Sequence, residues 1–317
     1  MTHVMIDSAL PIAAVMTWLK TLPTVLIGIA VAAAVLTGLY LLLRLIAPKT
    51  AAIAWTTAKE AMSQPLFPVL MVGGVVILLL LPVIPYYTFG EDVKMLKDNG
   101  LTVLMVLSIG LALWTASVSV AEEIDGRTAL TLLSKPVGRR QFILGKFLGI
   151  VGVVAILFII LGALFLTTVS YKVVYDARET AEPEPTTEEC FAELVQIAPG
   201  LALAFMEAVV FVAISVAIST RLPLVPNLII CASIYVLGHL TPLLANSAVG
   251  QFAVVAFIAD LLATVLPMLD HFNVYAAIST GRQVPLTYLG MAAVYCALYS
   301  GLALLLALLL FEDRDLA

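Results

Sequence analysis

Long apolar runs separated by short charged segments are the main pattern along this chain. A helix needs about 20 apolar residues to cross the hydrocarbon core of a bilayer. The runs that carry little or no charge therefore predict seven membrane-crossing helices, over residues 21–43, 66–87, 100–121, 147–171, 197–220, 225–246 and 284–311. The predicted fold class is an all-α, polytopic bundle of transmembrane helices.

Composition agrees with this interpretation. Of the 317 residues, 62% are hydrophobic and only 12% are charged, and the mean hydropathy is +1.11. Soluble domains carry about 25% charged residues, so the chain is predicted to be an integral membrane protein. The sequence offers no basic face interleaved with aromatic residues, and we therefore expect no nucleic-acid partner.

The charge-free run over residues 222–259 is too long for one helix and slightly short for two helices with a turn. We interpret residues 225–246 as a full crossing. Residues 251–269 are then a re-entrant or interfacial segment that returns to the side it left, since irregular backbone at that depth is tolerated against protein or water. If this segment crosses instead, the C-terminus lies on the outer side.

Lysine and arginine residues indicate the orientation, because cytoplasmic loops are enriched in them. With residues 122–146 placed inside, ten of these cations are cytoplasmic and six are outside. The strongly acidic segment over residues 172–195 then becomes an extracytoplasmic loop. Lys97 and Lys172 fall on the outer side in this arrangement, and the C-terminus is cytoplasmic if residues 251–269 do not cross.

The first predicted crossing belongs to an N-terminal segment, residues 1–49, which precedes the main transmembrane domain of residues 50–317. Residues 50–64 at the start of that domain mix alanine, isoleucine, tryptophan and methionine with two charges. We interpret them as a helix in the cytoplasmic interface, with Trp55 at headgroup depth.

The densest charged segment of the chain reads EEIDGRTALTLLSKPVGRRQFILGKFLG and spans residues 122–149. It opens with three acids and continues with a glycine that lets the chain turn. Residues 127–134 can form about two helical turns, with Leu130 and Leu133 on one side. Pro136 then ends this short helix, because it biases Lys135 away from the helical region.

A basic cluster follows the short helix, with Arg139, Arg140 and Lys146 at the start of the next crossing. These cations could only fix the topology and bind anionic lipid. The positive-inside rule does not require the acidic triplet or the short apolar helix, however. The segment as a whole is therefore predicted to be a docking element on the cytoplasmic face.

Glu207 interrupts the crossing over residues 197–220. A charge at that depth is costly unless it faces a cavity or a partner. Two interpretations remain open: the side chain lines a transport pathway, or it is a neutral carboxylic acid hydrogen-bonded between helices. Among the cysteines Cys190, Cys231 and Cys296, only Cys190 is expected to contact solvent.

A nucleotide-binding loop of the form GxxxxGK[ST] is not found. The stretch from Gly138 to Lys146 is superficially similar, but its glycine spacing is six residues and Phe147 follows the lysine. We expect no catalysis by this chain alone, and no cofactor or metal bound by it.

The charged segment resembles the cytoplasmic loop of ATP-binding cassette (ABC) type-2 transporter permeases. Three further stretches are similar to that family: AKEAMSQPLF at residues 58–67, LPMLDHFN at residues 266–273 and FEDRDLA at residues 311–317. The resemblance covers residues 51–317. It is closest to the subgroup that contains the permease of copper-site maturation for nitrous-oxide reductase.

This resemblance implies a six-helix permease core with one extra N-terminal helix, located in a bacterial cytoplasmic membrane. It implies an elbow helix at residues 50–64 and a coupling loop at residues 122–140 that docks on a separate ATPase subunit. The partner would bind ATP and magnesium, and a second permease copy would complete a homodimer that exports a substrate. The coupling residues would be Glu122, Glu123, Asp125, Gly126, Arg127, Thr128, Leu132, Leu133, Lys135, Pro136, Arg139 and Arg140.

Two other functions remain open from the sequence. The first is a secondary transporter driven by an ion gradient, with Glu207 as its ion or proton site. The second is a membrane maturation factor that uses an ATPase for mechanical work and has no small-molecule substrate.

Overall fold

A computed structural model describes residues 17–84, 92–121, 123, 138–180, 183–245, 257, 261, 265–274, 277–278 and 283–312. This part of the chain is built from α-helices with short connections. The helices are α1 (Leu22–Ile46), α2 (Pro48–Ser63), α3 (Leu66–Leu80), α4 (Asp92–Ala116), α5 (Arg139–Glu179), α6 (Thr187–Ser219), α7 (Leu224–Ala245) and α8 (Leu286–Glu312).

Within the described residues, six helical segments are long and apolar enough to cross a membrane. They comprise α1, α3 with the 3₁₀ turn Leu81–Val83, α4 with the π-helical turn Ser117–Ala121, α5, α6 and α8. The helix α7 has 22 residues and is apolar over Leu224–Leu240. The predicted all-α bundle of membrane-spanning helices is confirmed at this level.

Polar contacts define two ends of the bundle. At the first end, Arg139 Nη1 donates to the Glu312 carbonyl oxygen at 2.9 Å, which brings the start of α5 to the end of α8. At the second end, Lys172 on α5 contacts Asp92 on α4, and Lys97 on α4 pairs with Glu193 on α6. We name these the charged-loop end and the acidic end.

The first two helices form a hairpin. Pro48 follows Ala47 at the turn and begins α2. A proline is tolerated there because the backbone N–H that it lacks would have no helical partner at this position. The rings of Tyr40 and Trp55 meet across the hairpin with centroids 5.5 Å apart. Near the acidic end, Thr21 Oγ1 lies 2.9 Å from Ser170 Oγ, so α1 runs antiparallel to α5.

The helix α2 packs directly on α5 through small residues. A Cβ added to Gly145 would lie 2.7 Å from the Ile53 side chain, and one added to Gly149 would lie 2.6 Å from the Ala54 carbonyl oxygen. This register makes the two helices run in the same direction where they touch. Glycines four residues apart permit such close backbone approach in membrane helices.

The predicted elbow over residues 50–64 corresponds to this helix α2, which begins two residues earlier and ends one residue earlier than expected. Its position in a membrane interface stays a prediction. Trp55 is exposed, whereas Ala51, Ala54 and Ala61 are buried. The sequence did not anticipate that the elbow lies along α5.

The helix α7 ends on the same side of the bundle as α8 begins. Gly238 near the end of α7 contacts Leu269, and the Tyr288 hydroxyl near the start of α8 donates to the His271 carbonyl oxygen at 2.7 Å. The chain therefore returns to the end that it left at α7. Most of the predicted re-entrant segment, residues 251–269, lies outside the described residues, so its conformation stays a prediction.

The prediction that residues 172–195 form a loop is wrong, because most of them are helical. The helix α5 continues to Glu179 and α6 begins at Thr187, so only a short connection separates them. A capping box fixes the start of α6: Thr186 Oγ1 accepts from the Glu189 amide, and a Glu189 carboxylate oxygen accepts from the Thr186 amide. With 41 residues, α5 is about 60 Å long, which exceeds the thickness of a bilayer.

One other expectation about this end needs correction, and two lysines have partners that the sequence did not indicate. Lys97 and Lys172 are buried and paired with carboxylates, and their place on the outer side stays a prediction. Cys190 was expected to contact solvent, yet it is fully buried and packs with Val174 and Trp18. Continued helices carry these side chains inward, where a loop would have exposed them.

Replacement of Gly149 by alanine should destabilise the protein by about 1–3 kcal/mol, because the new methyl group meets the backbone of α2, which has no free rotamer to adopt. Thermal unfolding of the purified protein in detergent measures this. Gly152→Ala is the matched control on the same helix, since a Cβ there meets nothing within 4 Å. Equal destabilisation by the two changes would contradict the α2–α5 packing.

Candidate functional site

The candidate coupling segment is only partly described by the structure. Glu123, Arg139 and Arg140 lie at its two roots and are described. The other predicted coupling residues lie outside the described residues: Glu122, Asp125, Gly126, Arg127, Thr128, Leu132, Leu133, Lys135 and Pro136. The site is therefore built here from the helices that hold the segment.

Lys146 ties the two roots of the segment together. Its Nζ lies 2.5 Å from Glu123 Oε1 and 2.9 Å from Ser119 Oγ, and it stands 5.7 Å from the centroid of the Phe142 ring. Only 4% of the Lys146 side chain is exposed, against 20% for Glu123. A buried ammonium is stable when it is paired and hydrogen-bonded in this way, so this contact fixes the end of α4 against the start of α5.

This geometry gives two of the residues singled out in the sequence a partner. Lys146, which belongs to the basic cluster with Arg139 and Arg140, is buried. The Glu123 carboxylate contacts Lys146 inside the same chain, and its predicted docking role stays a prediction. Glu123 and Lys146 are 23 positions apart. No short sequence spacing therefore indicated that they would pair.

Asn227 forms a second buried link at the charged-loop end. Its Nδ2 lies 2.7 Å from Ser117 Oγ, 2.7 Å from Ser215 Oγ and 3.0 Å from Ser219 Oγ. The Cys231 thiol donates to Asn227 Oδ1 at 3.2 Å. These contacts join α7 to α6 and to the π-helical turn that ends α4. Sequence reasoning missed this group, although a lone asparagine within an apolar run was a usable signal.

The π-helical turn Ser117–Ala121 lies between these two links. Ser117 faces Asn227, and Ser119 faces Lys146. Single π-helical turns inside longer helices often occur at functional sites, because they interrupt the regular hydrogen-bond ladder. Here the irregular turn directly precedes the candidate coupling segment.

The second root of the segment is attached to α8. Arg139 donates to the Glu312 carbonyl oxygen, and its guanidinium stands 5.7 Å from the centroid of the Phe311 ring. The rings of Phe142 and Phe311 stack with centroids 5.8 Å apart. An arginine at the end of α8 also interacts favourably with the dipole of that helix.

A polar cavity of about 560 Å³ opens beside this attachment. It carries the cations Lys49, Arg139 and Arg140, and Glu312 is on its wall. Cations at headgroup height suit the phosphate of an anionic lipid. The predicted lipid contact of Arg139 and Arg140 stays a prediction with this cavity as its candidate location.

Together these links connect the roots of the charged segment to five helices. The Lys146 contacts join α4 to α5, Asn227 joins α4 to α6 and α7, and Arg139 joins α5 to α8. The Asn227 and Ser119 contacts are buried, whereas the Arg139 contact lies at the surface.

Glu207 lies inside α6 and is fully buried. Its Oε1 stands 3.6 Å from His239 Nε2 on α7, a partner that the sequence did not assign to it. An apolar cavity of about 440 Å³ lies elsewhere in the bundle, between α1, α5 and α6, and small residues such as Gly28, Ala32 and Gly162 leave room for it. Glu207 does not line that cavity.

Among the described residues, Asp92, Asp176 and Glu179 bring their carboxylates together at the acidic end, with oxygens within 4.8 Å of one another. The buried Lys172 ammonium lies 3.1 Å from Asp92 Oδ2. This lysine therefore compensates the charge of Asp92, one of the three acids.

Comparison with known proteins adds no family assignment. No protein-family model matches the chain, and no curated protein matches it at a significant level.

A double-mutant cycle tests the link between the two roots. Lys146→Met should destabilise the protein by about 1–3 kcal/mol, because it leaves the Glu123 carboxylate without its cation in a partly buried site. The double variant Glu123→Gln/Lys146→Met should lose less free energy of unfolding than the two single variants together, because neither charge is then left without its partner.

The matched control is Lys59→Met on α2, where the lysine is exposed and the change should stay within about 0.5 kcal/mol. Additive effects of Glu123→Gln and Lys146→Met on the free energy of unfolding would show that the two side chains do not interact.

Proposed function

We propose that this chain is the transmembrane permease subunit of an ABC-type transporter, and that it exports its substrate. A separate ATPase subunit would bind ATP and magnesium and would dock on the charged segment at residues 122–140. The observation that carries the proposal is the attachment of this segment. Polar contacts link the helices at its two roots, five helices in all, and they are buried at Ser119 and Asn227 and exposed at Arg139.

The order of the helices supports the proposal. The elbow α2 precedes six helices, α3 to α8, and the charged segment lies between the second and third of these. The resemblance to type-2 permeases implies this order and this place for the coupling loop. The helix α1 is then the extra N-terminal element.

In this function the residues of the segment divide into two groups. Glu122 and Asp125 would contact the ATPase, together with Arg127, Leu132 and Leu133 of the short helix. Glu123, Arg139 and Lys146 would position the segment, because their described contacts are within this chain. Arg140 would face lipid headgroups beside the polar cavity.

The assembly would contain two copies of this chain and two ATPase subunits in the cytoplasmic membrane of a bacterium. Closure of the ATPases on ATP would displace the charged segment. The Lys146 and Asn227 contacts would transmit that displacement to α5, α6 and α7. A maturation factor that uses the same displacement on an outer partner, without a small-molecule substrate, is the alternative with the same machinery.

Charge reversal of the docking acids tests this proposal. Glu122→Lys combined with Asp125→Lys should abolish co-purification of an ATPase from native membranes, because both changes oppose the charge of the docking surface. Insertion into the membrane should be unchanged, since neither residue belongs to a predicted crossing.

The matched control is Glu184→Lys with Glu188→Lys, which reverses two exposed acids at the acidic end and should leave the ATPase bound. Retention of the ATPase by the Glu122/Asp125 variant would refute the docking role. A wild-type chain that brings no ATPase with it would contradict the proposed function and favour the ion-coupled transporter.

A further inference from the structure

Glu207 is a carboxylic side chain without solvent contact in the middle of a membrane helix. It lies at 0% exposure on α6, and neither of its oxygens accepts or donates a hydrogen bond among the described residues. Among the described residues, its carboxyl group faces His239 on α7, with Nε2 at 3.6 Å from Oε1. Water cannot stabilise a charge on Glu207, so its protonation state must be compatible with this neighbour.

The hydrogen bond of the other ring nitrogen fixes the tautomer of His239. His239 Nδ1 lies 3.1 Å from the Tyr235 carbonyl oxygen. A carbonyl oxygen only accepts, so Nδ1 carries a hydrogen. In the neutral ring, Nε2 is then an acceptor, and its lone pair faces the Glu207 carboxyl group.

The number of protons on the pair follows from these two facts. If neither Oε1 nor Nε2 carried a proton, a buried carboxylate would face a lone pair without any cation. If both Oε1 and Nε2 carried a proton, the pair would have a net positive charge in an apolar environment. With a single proton the pair is neutral, and Glu207 donates to His239 after a small approach of the two side chains.

We propose that Glu207 and His239 form a membrane-embedded proton-binding site that holds one proton, carried by Glu207, between Oε1 and Nε2. The proton stays on Glu207 because transfer to His239 would create two charges, and the described residues offer the carboxylate no additional hydrogen bond. His239 is the accessible partner, since 23% of its side chain is exposed against 0% for Glu207.

The surroundings of the pair contain few other titratable groups. The Tyr235 ring stacks beside the His239 ring with centroids 4.7 Å apart. From α8, the Cys296 thiol donates to the Met206 carbonyl oxygen, next to Glu207 along α6. Among described residues, the ion pairs of α4 and α5 lie at the two ends of the bundle and involve neither Glu207 nor His239.

Like Asn227, this site joins α6 to α7. Loss of the proton would leave two acceptors facing each other and would weaken the contact of α6 with α7. The inference does not depend on a partner ATPase, because it uses only residues of this chain.

Infrared difference spectroscopy of the full-length protein in lipid nanodiscs tests the site. At neutral pH the wild type should show the carbonyl stretch of a protonated carboxyl group, sensitive to deuterium oxide. Glu207→Gln should lose this band, whereas Glu184→Gln, at an exposed acid, should keep it. Glutamine resembles the protonated acid, so the variant should unfold at the wild-type temperature. A wild type without the band, or a band retained in Glu207→Gln, would overturn the proposal.

Two changes at His239 test the partner. His239→Phe removes the acceptor, so the carbonyl stretch of Glu207 should move to higher frequency as its O–H loses the hydrogen bond. His239→Gln keeps an acceptor oxygen and should leave the band near its wild-type position. An identical band in the wild type and both variants would exclude His239 as the partner and overturn the site.

Discussion

Burial inside the helix bundle is the constraint on which this structure depends, because a charge that water cannot reach needs a partner from the same chain. Three lysines show how it is met. Lys146, Lys97 and Lys172 are buried, and each contacts a carboxylate on another helix or at its end. Two of these pairs lie at the acidic end of the bundle and one lies at the charged-loop end. The long helix α5 carries a lysine near each end.

In the proposed function, the same constraint would give the charged segment its mechanical connection to the helices. A loop attached only by its backbone could move without moving the helices. Here Lys146, Asn227 and Arg139 link the helices at its roots, five in all. The contacts of Lys146 with Ser119 and of Asn227 with Ser117 are buried and therefore costly to break, and Arg139 contacts the end of α8 at the surface. The irregular turn Ser117–Ala121 separates two of these links, so it is the place where a displaced segment would be accommodated.

Composition and run length were sufficient to predict the helical bundle. Each of the seven runs predicted to cross corresponds to a described helix, and six of these helices are long and apolar enough to span a bilayer. Helix ends were predicted less well. Residues 172–195 were expected to be a loop because they are acidic, but α5 continues to Glu179 and a capping box at Thr186 starts α6. The partners of Lys146, Asn227 and Glu207 could not be predicted, because they come from other helices and no local spacing encodes them. Small residues at Gly145 and Gly149 did carry a readable signal for close packing.

Cysteine labelling from each side of the membrane tests the central claim, that α5 and α8 both span between the same two ends. In a chain without its native cysteines, single cysteines at Gly138 and Glu312 mark the charged-loop end, and those at Glu184 and Gln283 mark the acidic end. All four positions are exposed. The account predicts that the first two label from one side of sealed vesicles and the last two from the other. Labelling of Glu184 and Gln283 from opposite sides would contradict it.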